Sequence, residues 1–456
     1  MLFVYVAADN YLRDGGRLGF VITQTVFKTS GAGEGFRRLK YEKDRQFVYL
    51  KPCAVHDLSR IQVFEGASNR TAVFLCEKKT KEFEYPVSHT SWSGPSRIDQ
   101  TATLKEVREP VRMAEYGAIP VNPRQNNPPW HTAPRETLAG IKKVLGKSEY
   151  QAYAGCCTWL NGVFWIRILE KRKNGDLLIE NLYDIGKLKI KQIQAMIEPD
   201  LVYPLLRGRD VKRWSAEPSA YIILTQDPET RTGIPESVMK TRFPKTFAYL
   251  KQFEGDHEKP QRGTLRGRSG FRQYFRPTDP FYSIYNIGSY TMADWKVLWP
   301  EVGNSVRSGV RGPLKLDKRK PALPDYTIVS VSCDSKEEAF YLNGALNSAP
   351  VDAAVRGYVA LHPSPHVLEN IAIPKFKSKN PIHRRIANIA LECQKATETG
   401  DRYRLLHLED DLEDATSELW AITKAELRAI QDALAALTSK GQQESKENDE
   451  DVVEQD

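Results

Sequence analysis

The stretch LFVYVAADNYLRDGGRLGFVIT, Leu2 to Thr23, constrains this chain more than any other. Phe3, Val6, Ala7 and Leu12 predict an amphipathic helix that turns that side inward. Gly15-Gly16 then breaks the helix with a tight turn, and Leu18 to Ile22 predicts a strand apolar enough to be buried on both faces. A helix, a glycine turn and a buried strand make half of an α/β crossover. GAGEGFRRL opens a further helix after glycines, and NRTAVFLCEKK supplies a second buried strand over Thr71 to Cys76. Residues 1–90 therefore predict the later strands of a parallel or mixed sheet whose earlier strands are supplied from elsewhere.

Composition narrows the function classes. An apolar content of 41% with 10% aromatics fits a folded globular chain able to bury several domain cores. The 66 basic side chains exceed the 58 acidic ones only modestly, but the excess is uneven. Leu201 to Ser330 carries 22 basic against 13 acidic residues, whereas Lys440 to Asp456 carries 2 against 7. An anionic partner is therefore expected at the basic middle. The six cysteines form no CxxC pair, which points to a reducing, cytoplasmic setting rather than a disulfide framework or a zinc ribbon. His362 and His366 are separated by prolines and cannot share a helical face, so no metal is expected there. No apolar run is long enough to span a membrane.

Between 91 and 149 periodicity fades and Pro110, Pro120, Pro123, Pro128, Pro129 and Pro134 accumulate, which predicts a Pro-rich linker. Residues 150–380 alternate short aromatic and β-branched runs, among them NGVFWIRIL, AYIILTQ and YTIVSVSC, and predict a mixed α/β domain. Asn161-Gly162 reads as a hairpin turn. Residues 381–438 are expected to be helical, with Leu427, Ile430, Leu434 and Leu437 forming an apolar stripe, and 439–456 to be an acidic disordered tail.

Basic side chains cluster within the middle domain. LLRGRDVKRW brings Arg207, Arg209 and Arg213 together, with an Arg209–Asp210 ion pair as the plainer alternative. RGTLRGRSGFRQYFRP interleaves Arg262, Arg266, Arg268, Arg272 and Arg276 with glycines, which let a backbone approach a polyanion, and with aromatics that offer stacking surface. NSVRSGVRGPLKLDKRK adds Arg307, Arg311, Lys318 and Arg319. Phosphate contacts are expected to dominate such a surface.

Taken in order, YLRDGGRLGFVIT, GAGEGFRRL, GASNRTAVFL, IEPDLVYPLLRGRDVKRW and PIHRRIANIA resemble the rear portion of gamma-class adenine-specific DNA N6-methyltransferases of the restriction-modification and phage-defence type. The resemblance runs over residues 3–395. It implies a partial Rossmann-like methyltransferase sheet followed by a target-recognition domain and C-terminal helices. It also implies methyl transfer from S-adenosylmethionine to an adenine flipped out of double-stranded DNA. The family's glycine-rich cofactor loop and NPPY motif would precede YLRDGGRLGF. The front half, with the S-adenosylmethionine site, is thus expected on a second protein chain or lost, and this chain alone is not expected to be active.

NNPPW offers Asn127, Pro128 and Trp130 as an alternative base pocket, although it falls in the wrong order for the family. Phe74 is the nearest aromatic to the position at which many relatives stack on the flipped base. A Pro-rich loop and a core position are the respective alternatives. A non-catalytic DNA-binding or scaffold subunit of a restriction or phage-defence complex is the competing function.

Overall fold

The computed structural model describes residues 2–437 apart from 30–31, 65–69, 98–100, 187, 189, 317 and 360–361. The acidic segment 439–456 lies outside the described residues. The fold is mixed α/β, with several sheets and a helical C-terminal part.

Helix α1 (Leu2–Tyr11) leads through the glycine turn into strand β1 (Arg17–Thr23). Gly15 adopts φ +76°, a left-handed conformation that glycine enters without a Cβ penalty. The first sheet has the order β1-β4-β3-β5-β6-β7, built from β3 (Gln46–Gln62), β4 (Thr71–Lys79), β5 (Val87–Arg97), β6 (Arg112–Pro120) and β7 (Trp130–Pro134), while β2 (Lys40–Lys43) pairs with β3. It is a mixed sheet: β3 and β5 run parallel and the other ladders are antiparallel, including β1 against β4.

Three expectations are corrected here. The buried side of α1 is Val4 and Ala8, while Leu2, Phe3 and Val6 face outward. Strand β1 is not buried on both faces: Ile22 is covered, but Val21, on the opposite face, is 56% exposed. β1 sits at the end of the sheet order, so one hydrogen-bonding edge of it is open among the described residues. The Pro-rich stretch, finally, is not a linker. β6, β7 and the latter part of β5 fall inside it and complete the sheet, with Ile119 pairing opposite His131. Its prolines sit where they remove no essential ladder bond, notably at the ends of β6 and β7.

That stretch is also the joint to the rest of the molecule. Ile119 and Ala133 belong to the same apolar core as the helices Leu138–Val144, Lys336–Leu346, Ala349–Tyr358 and Pro381–Thr399. His131 lies 3.1 Å through Nε2 from the Ala353 carbonyl, and its ring packs against Gly357, where a Cβ would come within 2.1 Å.

The middle part holds a six-stranded sheet, in the order Gln194–Ile197, Leu177–Asn181, Trp165–Lys171, Ala220–Ile223, Val202–Leu206 and Leu323–Pro324. A four-stranded sheet around Trp295–Pro300 and Ile328–Cys333 lies beside it. Asn161-Gly162 is not a hairpin turn: it opens the short helix Asn161–Phe164, and the Thr158 hydroxyl donates to Asn161 Oδ1. The helix Pro381–Thr399 starts under Asn380, whose side chain accepts from the Ile382 amide at 2.9 Å. Helical residues 424–437 bury Leu427 and Ile430, the latter against Gly140.

Candidate nucleic-acid interface

The glycine- and arginine-rich stretch 261–277 splits into an interior and a rim. Arg268, expected to face DNA, is buried, with its guanidinium pulled down to about 9 by desolvation. Its Nε donates to Leu265 O, Nη1 to Thr158 O, and Nη2 to the carbonyls of Phe281 and Ser283, at 2.7–3.0 Å. Phe164 and Phe271 lie against the planar group. Arg266 is likewise buried and donates to Glu254 through Nε and Nη2 at 2.9 and 2.7 Å. These two arginines hold the loops together and are withdrawn from the surface. Arg262, Arg272 and Arg276 are exposed, and among the described residues only Arg276 of the three has an acidic partner, Asp279 at 3.8 Å.

The second cluster behaves similarly. Arg207 is buried and binds Asp210 and the Ser219 hydroxyl, so it, rather than the exposed Arg209, makes the close contact of that turn. Arg213 reaches Glu409 at 3.1 Å and the Asn347 carbonyl, which ties this hairpin to the C-terminal helices. Arg311 pairs with Glu217. Arg307 is exposed close by in sequence to Ser308, whose carbonyl accepts from the Trp214 amide. Lys318 and Arg319 stand apart on a separate short hairpin with exposed side chains, 3.8 Å from Asp200 and 2.9 Å from Asp294. Arg209, Arg262, Arg272, Arg276 and Arg307 thus keep their charges in solvent, at more than one place on the middle part.

The two aromatic candidates for a base pocket are in the core. Trp130 is buried and stacks on Phe27 at 4.9 Å with an interplanar angle of 22°, and Tyr85 meets it edge-on. Asn127, at φ +53°, accepts at its carbonyl from Arg37 Nε, and Pro129 accepts from the Val121 amide, so Asn127 and Pro128 belong to a turn braced by the sheet. Phe74 is fully buried between Phe36 and Phe27. Neither ring has a face left for a base. Phe64 does: it is 47% exposed, two residues past the end of β3.

The amides of the Gly15-Gly16 turn are not free for a cofactor. Gly15 N–H donates to Lys78 O and Gly16 N–H to Arg13 O, so the turn's amides are used within the fold. Gly33 lies inside the helix Ala32–Arg37, pressed against Val26 O and Arg37.

In fold, the chain is similar to the type IIL restriction-modification enzyme MmeI, solved in complex with DNA, with a TM-score of 0.50 at 12% identity over 96% of this chain and 51% of that one. It aligns more loosely with the type IIG restriction endonuclease BpuSI, at a TM-score of 0.30 and 11% identity over 89% of this chain and 48% of that one. In sequence, it is 26% identical over 183 residues to the type II methyltransferase M.NspV of Nostoc sp. (strain ATCC 29411 / PCC 7524), a match covering 40% of this chain and 33% of that protein. The chain thus spans about half the length of the solved enzyme and its match a third of the curated relative. No family model matches.

Proposed function

We propose that this chain is the DNA-recognition portion of a site-specific adenine-N6 DNA methyltransferase of the restriction-modification or phage-defence type. A separate chain would supply S-adenosylmethionine binding and catalysis. The observation that carries the reading is the sequence match to a type II methyltransferase, joined to the set of solvent-facing arginines on the middle part.

In this reading Arg209, Arg262, Arg272, Arg276 and Arg307 contact phosphates, because a guanidinium fork matches phosphate oxygens and all five are exposed, Arg209 and Arg276 with only long contacts to Asp210 and Asp279 at 4.0 and 3.8 Å. Phe64, exposed two residues past the end of β3, stacks on the flipped adenine. The partner chain seats on the free edge of β1 and on the outward face of α1, where Leu2, Phe3, Val6 and Val21 leave an apolar surface exposed beside unpaired strand groups.

The test is methylation of duplex DNA with labelled S-adenosylmethionine. This chain alone should bind duplex without transferring methyl, and addition of a complementing chain carrying the cofactor loop should restore transfer. Phe64→Ala should then lower transfer while leaving duplex affinity unchanged. Strong binding of S-adenosylmethionine by this chain alone in calorimetry would overturn the division of labour.

A further inference from the structure

Around the buried Arg268 the loops display a group of aromatic rings at the surface. Trp159 stacks on Tyr274 with centroids 5.6 Å apart and planes 9° apart, and Tyr274 stacks on Tyr285 at 4.7 Å and 24°. Tyr274 and Tyr285 are 50% and 40% exposed, and Trp159 is half-buried. Among the described residues neither phenol oxygen has a hydrogen-bond partner.

The arrangement is built rather than incidental. Trp159 holds φ +52°, a strained conformation for a bulky side chain, which persists only where the surroundings impose it. Two features impose it here. Arg268 binds the carbonyl of Thr158, one residue before Trp159, and that of Ser283, two before Tyr285. Gly270 lies flush beneath the indole, where a Cβ would fall 1.9 Å from the ring. One buried cation thereby sets the spacing of the segments that carry Trp159 and Tyr285, and the indole of Trp159 stacks on Tyr274. Arg272 flanks Tyr274 on one side in sequence and Arg276 on the other, both in solvent.

The geometry points to Trp159, Tyr274 and Tyr285 as an aromatic shelf that packs on the sugars and base edges of double-stranded DNA, with Arg272 and Arg276 gripping the adjacent phosphates. The inference rests on the DNA-recognition reading and gives it a surface. Duplex DNA is the occupant because cations border the rings: an aromatic patch framed by two exposed guanidiniums, of which Arg276 keeps only a loose surface contact with Asp279 at 3.8 Å, suits a partner with both apolar edges and a polyanionic backbone. Arg268 is a positioning residue for this shelf, not a contact.

The shelf and the arginines differ in how salt affects them. Contacts to phosphate release counterions, so affinity falls as salt rises, while ring contacts add affinity that salt does not remove. Duplex binding is therefore measured by fluorescence anisotropy over a series of salt concentrations. Tyr274→Ala combined with Tyr285→Ala should weaken binding about tenfold at every salt concentration with the slope of log K against log salt unchanged. Arg272→Ala combined with Arg276→Ala should make that slope shallower by about 2. The phenylalanine pair, Tyr274→Phe with Tyr285→Phe, keeps the stacked rings and should stay within about threefold of the parent. Hydrogen exchange on the unmodified protein should show residues 156–162 and 270–288 protected when duplex is added.

Wild-type affinity in the alanine pair, or no protection of those segments on a duplex the protein does bind, overturns the shelf and leaves DNA recognition standing. Absence of any salt-dependent duplex binding by the unmodified protein overturns the DNA-recognition reading and the shelf with it.

Discussion

Two surfaces of this molecule expose apolar side chains, and they are made differently. At the β1 edge the exposed groups are aliphatic or lie on a helix: Leu2, Phe3 and Val6 on α1, and Val21 on a strand with one edge open. At the middle loops they are aromatic, stacked on one another and bordered by arginines. An apolar face without stacked rings, beside unpaired strand groups, suits another polypeptide, which can extend the ladder and cover the hydrocarbon. Rings framed by guanidiniums suit a nucleic acid. Burial alone would not tell the two apart; the chemistry around the exposed carbon does.

The comparison breaks most sharply at Arg268. Arg268→Ala removes a charged donor from four buried carbonyls and should lower stability by about 4 kcal/mol in urea denaturation. The loss should fall on the loop region, with fast hydrogen exchange near Trp159 and the β1 strand still protected. Equal loosening of both regions would mean that they form one cooperative unit. Arg266→Ala should cost somewhat less, about 2 kcal/mol, because the Glu254 carboxylate keeps its pairing with Lys251 but loses two guanidinium hydrogen bonds.

Acid should separate the two regions at their joint. His131 links β7 to the helix Ala349–Tyr358, and burial holds its imidazole down to about 4, against a lesser opposite pull from the Ala353 carbonyl. A histidine depressed in the folded state is neutral there while the unfolded one takes up a proton. Its contribution is therefore intact above the ordinary histidine range, near pH 6.5, and is lost as pH falls through 4, a change of roughly 3 kcal/mol. The urea midpoint should drop across that interval, and His131→Phe should flatten the drop. A wild-type midpoint independent of pH between 7 and 4.5 would show that the ring is not held neutral.

Val21→Asp tests the aliphatic edge. The side chain is exposed, so stability should change by less than about 0.5 kcal/mol, whereas capture of the complementing chain in a pull-down should fall about tenfold and duplex affinity should hold. The smallest effect is expected at Arg209→Ala. This side chain is exposed and 4.0 Å from Asp210, and its loss should reduce the salt dependence of duplex binding by about 1 in log–log slope without altering stability.

Much of the fold could be read along the chain. The α1–turn–β1 unit, the Thr71–Cys76 strand, the strands at Trp165, Ala220 and Ile328 and the terminal helical stripe all follow local periodicity, which a single sequence carries. The face of α1 that is buried did not follow, because apolar residues lie on both sides of that helix and the sheet chose Val4 and Ala8. The Pro-rich stretch misled for a related reason. Prolines mark breaks in local order, but β6 and β7 are held by long-range pairing that composition does not record.

At the site, residue types in order were enough to place cations and aromatics in the middle of the chain, since charge and ring content are properties of the side chains themselves. Arg266 and Arg268 are indistinguishable from Arg262, Arg272 and Arg276 in that order. Only the folded chain separates them. Where buried carbonyls of Thr158, Leu265, Phe281 and Ser283 converge, a guanidinium is a donor that satisfies them all, and Arg268 turns inward to do so. Partnering of this kind depends on segments more than a hundred residues apart meeting in space, which no local pattern encodes.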